Sequence, residues 1–284
     1  MGPDMSGTGR RGSAPSGSSF QFSFWLLPAE RRQALRTVYD FCRATDDIVD
    51  NHASPEEKLG GLEKWKRDLE LAEDHRSDHP LLSRLAAVSD RYAIPFGLYF
   101  DLIRGVGMDV TTTRYRTFGE LSVYCALVAS SVGSMCLGIF GRRNERTEEY
   151  ARHLGLALQL TNTIRDVAAD AAFGRIYLPQ EDLVRFGCPE GEILALTRPA
   201  RFGELMEFEA SRAARYYAAA DSALRPEDNA DMAPARVMAG IYRGTLRKIA
   251  RSGYDVFGGP IRLSRPVQLF IALRQGLAGA LLPR

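Results

Sequence analysis

The stretch RATDDIVDN, residues 43–51, closes an apolar-periodic segment, RRQALRTVYDFC, at residues 31–42. Asp46 and Asp50 are four residues apart, so on a helix they lie one turn apart on the same face. Like charges at this spacing destabilise a helix modestly, unless an arginine or a divalent cation compensates them. The stretch therefore predicts a helix that directs a pair of carboxylates toward a cationic partner.

A second polar stripe interrupts the apolar segment LQLTNTIRDVAAD, residues 158–170. Spacings of three, four and four residues predict one helical face that carries Gln159, Asn162, Asp166 and Asp170. A lone acidic cluster is typical of a solvated helix face. Two stripes of this kind, one of them inside an apolar helix, instead predict side chains that face each other across a pocket.

The chemistry of these side chains indicates which cation they would hold. They offer hard oxygen ligands without histidine or thiolate, a set that suits Mg²⁺, with Mn²⁺ as a substitute. Mg²⁺ often completes its ligand shell with water and substrate phosphate oxygens, so a phosphorylated ligand is expected. Arg43, Arg165 and Arg175 stand close in sequence and could bind the phosphate. No GxxxxGK[ST] motif points to a nucleoside triphosphate.

The composition sets outer limits on the function. The chain has 284 residues, of which 45% are hydrophobic and 25% charged, which is ample for a large core. Its net charge of +2 gives no argument for nucleic-acid binding. The four cysteines show no CxxC spacing and are typical of buried thiols in a reducing compartment. A cytoplasmic location is therefore expected.

Helix signals dominate the rest of the chain. SPEE at residues 54–57 and TFGE at residues 117–120 both have the form of a capping box. No run of strand alternation and no βαβ rhythm is evident, so the fold class is predicted to be all-α with one domain. Residues 1–18 are rich in Gly, Ser and Pro and are predicted to be a disordered tail. The domain is expected to cover residues 19–284.

Membrane contact is expected to be weak and peripheral. No stretch is predicted to reach the length and hydropathy that a membrane span needs. The segment VQLFIALRQGLAGALLPR, residues 267–284, is apolar and basic without being a span. It predicts either attachment to the inner membrane surface or a helix that covers the core.

Six segments together resemble one known family, the squalene and phytoene synthases, which join two prenyl diphosphates head to head. The resemblance runs from Ser18 to about Arg274, and its segments are SSFQFSFWLLPAERR, YDFCRATDDIVD, YCALVASSVG, LQLTNTIRDVAAD, GRIYLPQEDLVRFG and IYRGTLRKIARSGYDVF. It implies an isoprenoid-synthase-type helical bundle around a central cavity. It also implies a prenyltransferase whose substrates are prenyl diphosphates.

The resemblance assigns roles to individual positions. The implied Mg²⁺ ligands are Asp46, Asp50, Asn162, Asp166 and Asp170, with Gln159 in the second stripe. The implied first diphosphate site is lined by Ser19, Phe20, Tyr39 and Arg43. Two arginines are implied to bind diphosphate with two tyrosines nearby: Arg165, Arg175, Tyr177 and Tyr242. Tyr124 is implied to assist proton or cation handling, and the alternative for this residue is a packed core tyrosine with a satisfied hydroxyl.

Some positions depart from the family pattern. Gly107 and Ala169 stand where the family usually has glutamate, and Ala126 and Leu127 replace bulkier side chains. The segment DAAFGRIYLPQ is also poorer in cationic residues than is usual. No implied metal ligand is lost, so the departures concern the product and the loop over the diphosphate.

The choice of product rests on the resemblance. MDVTTTRY and FGGPIRLSRPVQLFIALR favour a bacterial presqualene diphosphate synthase, which uses two farnesyl diphosphates to make a hopanoid precursor. In that case NADPH is not expected to be used. YDVF is also similar to phytoene synthases, which use geranylgeranyl diphosphate, and a squalene synthase with NADPH is a further alternative. An ionisation-type terpene cyclase is less favoured because of the SSF start, the GRIYLPQ segment and the lack of a serine between Asn162 and Asp170. A non-catalytic prenyl-lipid binder is less favoured because a binder of neutral lipid has no need of four aspartates.

Overall fold

A computed structural model describes residues 26–141, 144–259 and 261–280, with side chains as far as residue 275. Within these residues the chain is helical, and the strand-like pairing is confined to an isolated bridge between Arg114 and Ile176. The predicted all-α class is therefore confirmed. The predicted tail, residues 1–18, lies outside the described residues, and so do Ser19 and Phe20.

The helices follow one another along the chain, and the connection before the last helix, residues 252–264, is a longer one. In chain order they are α1 (Ala29–Val49), α2 (Pro55–Glu73), α3 (Pro80–Tyr92), α4 (Gly97–Thr111), α5 (Phe118–Cys125), a π-helical turn (Ala126–Ser130), α6 (Ser131–Phe140), α7 (Glu145–Arg165), α8 (Val167–Ala172), α9 (Gln180–Phe186), α10 (Glu190–Leu194), α11 (Phe202–Ala223), a 3-10 turn (Pro226–Asp228), α12 (Ala233–Arg251) and α13 (Arg265–Ala280).

The two predicted caps begin their helices as expected, with one difference. At α2 the Ser54 hydroxyl accepts a bond from the Glu57 N–H (3.2 Å), and the Glu57 carboxylate accepts one from the Ser54 N–H (2.8 Å). At α5, Thr117 caps the helix, but the Glu120 carboxylate bonds the N–H of Arg116 (2.7 Å). The second box is therefore closed one residue earlier than the pattern predicts.

Aromatic packing fixes the position of α1, the helix that carries the first acid pair. Phe41 packs edge-on against Tyr99 of α4, with ring centroids 5.1 Å apart, and stacks on Trp65 of α2 at 5.9 Å. The indole N–H of Trp65 donates to the Thr45 hydroxyl (2.9 Å). Because Thr45 precedes Asp46, these contacts set the orientation of the acid pair.

The continuous helical run Phe118–Phe140 is the most apolar part of the described chain. It is long and apolar enough to cross a membrane by length and composition, so the expectation that no stretch would qualify was wrong. Most of its apolar window is buried inside the protein, as in the core helix of a bundle. The run forms an inner wall of the fold.

The π-helical turn in this run is enclosed from two sides by glycines. A Cβ atom at Gly105 of α4 would lie 2.6 Å from a Val128 methyl carbon, and one at Gly155 of α7 would lie 2.6 Å from the Ser130 Cα. Glycine at both positions therefore allows α4 and α7 to approach the turn more closely than any side chain would permit.

One cluster of buried apolar side chains extends from Leu27 to Ala272 and contains residues of most of the long helices. The described residues therefore share a single core, as a one-domain bundle requires. The boundary predicted at residue 18 stays a prediction.

Candidate active site

The core encloses a cavity with about 700 Å³ of empty space, part of it open to solvent. Its walls come from the π-helical turn with α6, from α7 and from α12. Most of the lining is apolar, and Gln159, Asn162 and Tyr242 form a polar corner. The arrangement suits a long hydrocarbon with a polar head at that corner.

The polar corner is built at the end of α7. Gln159 and Asn162 line the cavity, and the Asn162 amide donates to the Gln159 carbonyl oxygen at 3.3 Å. The amide oxygen of Asn162 is buried and has no hydrogen-bond partner among the described residues. A buried oxygen of this kind costs free energy unless a ligand or water satisfies it, so the corner is suited to a cation or a donor.

The second stripe is not a single helix. α7 ends at Arg165, Asp166 is the capping residue between α7 and α8, and Asp170 lies on α8, which corrects the predicted continuous face. The Asp170 N–H still bonds the Asp166 carbonyl (2.8 Å), so both residues stay on one winding of the chain. Asp170 is buried.

Arg165 is engaged with its neighbour. Its guanidinium pairs with Asp166 through two bonds, one of them between Nε and Oδ1 at 2.8 Å. Burial lowers the pKa of Arg165, but the bonds and charge of Asp166 outweigh it, and the pKa is raised overall. The Tyr242 hydroxyl interacts with Arg165 and Asn162. Burial raises the pKa of Tyr242. The guanidinium of Arg165 is therefore held by one carboxylate in this structure.

The first acid pair lies on the inner side of α1. Asp46 is 2% exposed and Asp50 is half-buried, whereas Asp47 is exposed and pairs with Arg43 at 2.7 Å. The N–H of Asp50, which ends α1, bonds the Asp46 carbonyl (3.0 Å). Arg43, which was predicted to line the diphosphate site, thus forms an i, i+4 ion pair with the exposed Asp47.

A buried thiol lies on the same helix as this pair. Burial, then the charge of Asp46 and that of Cys136, raise the pKa of the Cys42 thiol. Cys136 lines the cavity, whereas Asp46 is not among the lining residues.

The donor set fits a magnesium ion that has further ligands. Among the described residues no three His, Cys, Asp or Glu side chains come together as a metal site, and the predicted pocket between the two stripes stays a prediction. The aspartates are instead two pairs, on α1 and at the α7–α8 junction. Mg²⁺ readily takes one or two carboxylates and completes its shell with water and phosphate oxygens. Asn162 supplies an additional unsatisfied oxygen.

A buried carboxylate joins two of the predicted tyrosines. Asp109 of α4 is 5% exposed and accepts bonds from the hydroxyls of Tyr124 (3.1 Å) and Tyr177 (2.5 Å). The ring of Tyr115 packs against both tyrosines, with centroids 5.6 and 5.9 Å away. The hydroxyl protons of both tyrosines are therefore directed at one carboxylate. Asp109 was missed in the sequence, although an acid inside the apolar segment GLYFDLIRGVGMDV could have indicated it.

The remaining predicted residues lie near the second stripe or on α1. The Arg175 N–H bonds the Asp170 carbonyl (3.0 Å), and one buried guanidinium nitrogen of Arg175 has no hydrogen-bond partner in the described chain. An unsatisfied cationic group beside an acid pair suits an anionic ligand. Tyr39 is half-buried on α1.

A second buried ionic cluster lies apart from these residues. The Arg212 guanidinium bonds Asp182 (2.8 Å) and Glu209 (2.6 Å) and lies over the ring of Phe118, 4.3 Å from its centroid. Burial raises the pKa of Glu209 to about 7, against the lowering effect of Arg212. The cluster ties α11 to α9 and to the start of α5.

The model of the family described as "Squalene/phytoene synthase" matches residues 14–267. The chain belongs to this family. It is therefore a prenyltransferase, as predicted. It is 38% identical over 249 residues to a protein named phytoene synthase from Mycobacterium bovis, which covers 87% of this chain and 82% of that protein. It is 34% identical over 264 residues to the phytoene synthase of Arthrospira platensis, with 87% and 84% covered.

Solved structures of the family have the same fold. A dehydrosqualene synthase crystallised with a ligand superposes with a TM-score of 0.82 at 28% identity, over 93% of this chain and 92% of that one. The squalene synthase HpnC from Alicyclobacillus acidocaldarius gives 0.75 at 26% identity, over 83% and 89%. The prediction of an isoprenoid-synthase-type bundle is confirmed.

Proposed function

We propose that this squalene/phytoene synthase family member condenses two prenyl diphosphates head to head, with Mg²⁺ as its cofactor. The observation that carries the proposal is the cavity, whose long apolar walls end at Gln159, Asn162 and Tyr242, beside Asp166. A prenyl chain is apolar along its length and anionic at one end. The cavity offers both environments in that order.

The two aspartate pairs and Asn162 are proposed to hold Mg²⁺ at the diphosphate: Asp46, Asp50, Asn162, Asp166 and Asp170. Mg²⁺ supplies charge neutralisation, which makes diphosphate a better leaving group. Arg175 offers an unsatisfied guanidinium nitrogen, and Arg165 can exchange Asp166 for the substrate. These cations stabilise the charge that develops on the departing diphosphate.

The apolar lining protects the allylic cation that remains. The lining contains side chains without a nucleophile that could capture the cation, among them Val128, Val132, Leu158 and Met238. Water would also capture the cation, so the site must exclude water for the cation to survive. The double bond of the second substrate attacks the cationic carbon, and a proton must then leave.

Tyr124 is proposed to accept that proton, with Asp109 as its partner. The Tyr124 hydroxyl donates to Asp109, so a carboxylate already stands where the tyrosine proton would go. As the substrate C–H bond breaks, its electron pair closes the cyclopropane ring. The proton passes to the Tyr124 oxygen, whose own proton moves to Asp109. The balance leaves neutral tyrosine and a protonated Asp109.

The comparisons favour the C20 alternative over the C15 product that the sequence segments suggested. Relatives that are at least 30% identical include several proteins named phytoene synthase. Geranylgeranyl diphosphate is therefore the proposed substrate and phytoene the proposed product, without NADPH. Because phytoene has no cyclopropane ring, the cyclopropylcarbinyl diphosphate must then lose its own diphosphate, rearrange to a linear cation and release a second proton. Farnesyl diphosphate with presqualene diphosphate is the second candidate, since a dehydrosqualene synthase and a squalene synthase share the fold at lower identity.

A product assay tests this proposal directly. The purified protein is incubated with Mg²⁺ and C15 or C20 diphosphate, each with and without NADPH, and products are identified with and without phosphatase treatment. Phytoene from the C20 substrate, independent of NADPH, supports the first candidate. Presqualene alcohol after phosphatase treatment supports the second. Squalene that forms only with NADPH assigns a squalene synthase, and a cyclised monomeric product refutes head-to-head condensation.

The location is proposed to be cytoplasmic. All four cysteines are buried free thiols, as expected for a protein from a reducing compartment. Fractionation of cells at low and high salt, followed by immunodetection, tests this proposal.

A further inference from the structure

The last described helix, α13, has an exposed apolar ridge. The ridge consists of Val267, Phe270 and Leu273, spaced three residues apart and therefore on one face. Phe270 is 66% exposed and Leu273 is 58% exposed, and Leu269 adds apolar surface beside them. Single exposed apolar side chains are ordinary, but an aligned set on one helix marks an interaction surface.

The opposite face of α13 is already used in the fold. Gln268 and Ala272 are buried, and Ile271 packs on α12, where a Cβ at Gly240 would lie 2.7 Å from an Ile271 methyl carbon. α13 therefore packs on the fold through this opposite face, and the ridge is a separate, outward face of the helix. The matched family region ends at residue 267, so most of the ridge lies beyond it.

The charge around the ridge has one sign. No Asp or Glu occurs after Asp255, whereas Arg262, Arg265, Arg274 and Arg284 do. Of these, Arg262, Arg265 and Arg274 are exposed, and none of the three pairs with a carboxylate in the described chain. An apolar ridge with unpaired basic residues beside it has the properties of a helix that lies in a membrane interface.

The position of the helix relates this surface to the cavity. α12 presents Ala235 and Met238 to the cavity and Gly240 to α13. One helix therefore separates the ridge from the apolar wall. A bilayer in contact with the ridge would be close to the part of the protein that holds hydrocarbon.

We infer that the Val267–Phe270–Leu273 ridge docks the protein on the surface of an anionic lipid bilayer, with the arginines at the headgroups. A second copy of the chain is a poorer occupant, because symmetric pairing would bring two sets of unpaired arginines together. A bilayer with anionic headgroups complements both the apolar and the basic part of the surface.

Vesicle sedimentation tests the inference without substrate, so the result is independent of the proposed function. The full chain is mixed with phosphatidylcholine vesicles that contain 0 or 30% phosphatidylglycerol, and the bound fraction is measured. Binding is expected with the anionic vesicles, and it should weaken at 0.5 M salt. The triple variant Val267→Ser, Phe270→Ser, Leu273→Ser should lower the partition coefficient about tenfold or more.

Two controls make the result decisive. Val184 of α9 is 82% exposed and lies outside the ridge, so Val184→Ser should bind like the wild type. Circular dichroism must show unchanged helicity for the triple variant, and Phe270→Ser alone serves if the triple variant unfolds. Equal binding by the wild type and a folded ridge variant overturns the inference. So does concentration-dependent dimerisation that the ridge variant abolishes while vesicle binding is absent.

Discussion

The hydroxyl of Tyr124 donates a hydrogen bond of 3.1 Å to the carboxylate of Asp109, a residue 15 positions earlier on the neighbouring helix α4. The second oxygen of the same carboxylate accepts the hydroxyl of Tyr177. Asp109 therefore fixes which way both phenolic protons point.

We expect Asp109→Asn to lower kcat by about tenfold to a hundredfold with little change in KM, the scale of a lost proton-transfer partner. The amide keeps the shape but cannot take up the proton of Tyr124. Steady-state kinetics and the ratio of prenyl alcohol to condensed product measure the effect. Asp101→Asn, at an exposed pair with Arg104 on the same helix, should be neutral. A parallel fall in melting temperature and kcat, with an unchanged product ratio, would mean a purely structural role.

We expect Asp50→Asn and Asp166→Asn each to reduce turnover by about a hundredfold or more, because each removes a charge that stabilises the metal-bound diphosphate. The Mg²⁺ concentration for half-maximal activity should rise as well. Asp47→Asn is the matched control, since Asp47 points to solvent and pairs with Arg43. Exposed pairs contribute little, so this variant should stay within about threefold of the wild type. Near-normal turnover in both test variants would refute the metal role.

The pKa of Glu209, raised to about 7 by burial, makes stability depend on pH. Between the pKa of an unfolded glutamate and pH 7, the folded state binds more protons than the unfolded state, so stability falls as pH rises. Glu209→Gln resembles the protonated form at every pH. The wild type should therefore lose on the order of 2 kcal/mol relative to this variant between pH 5 and 8. Urea unfolding of both proteins measures the difference, which would be flat with pH if Glu209 were ionised throughout.

Gly155→Ala should destabilise the protein by about 1–3 kcal/mol, because its methyl group would lie 2.6 Å from the Ser130 Cα. The backbone of the π-helical turn, or α7 itself, would have to shift. Gly60→Ala on α2 meets no atom within 4 Å and should be neutral or stabilising by up to about 1 kcal/mol. Thermal unfolding compares the two. An equal response of both sites would show that the close contact is not a constraint.

Substrate length should respond to Ala129, which lines the cavity from the π-helical turn. Ala129→Phe fills part of the space, so turnover of C20 diphosphate should fall at least tenfold relative to C15 diphosphate. Competition assays with both substrates give this ratio of kcat/KM values directly. Ala126→Phe, on the exposed side of the same turn, is the control. An unchanged ratio in the Ala129 variant would place the prenyl chain elsewhere.

The helical class could be predicted from the sequence because helix signals are local. The caps at Ser54 and Thr117 depend on residues within one turn, and both begin helices. The spacing of Asp46 and Asp50 likewise predicted their helical relation, with Asp46 on α1 and Asp50 as its C-cap. The second stripe was harder, since the break at Asp166 depends on how the chain enters α8 rather than on spacing.

The rest depended on contacts distant in sequence. Asp109 and Tyr177 are 68 residues apart, and no local pattern joins them. The partners of Arg43 and Arg165 could not be predicted either, because a guanidinium near several acids can pair with any of them. The prediction that the two stripes face each other across a pocket rested on two spacings alone, which do not determine the distance between helices.

Because of the π-helical turn at Ala126–Ser130, the chain could lose one residue there and keep its helical fold. A π-turn holds one residue more than the α-helix around it needs, and the Ser131 N–H bonds the Ala126 carbonyl across it. Deleting one residue here would leave a regular α-helix on either side, so hydrogen bonding would survive. Each α-helical residue turns the chain by about 100°, so the same deletion would change the helical phase of Tyr124 relative to Val132. A deletion of one residue in this turn would thus preserve folding while it disturbs the alignment of Tyr124 with the cavity wall.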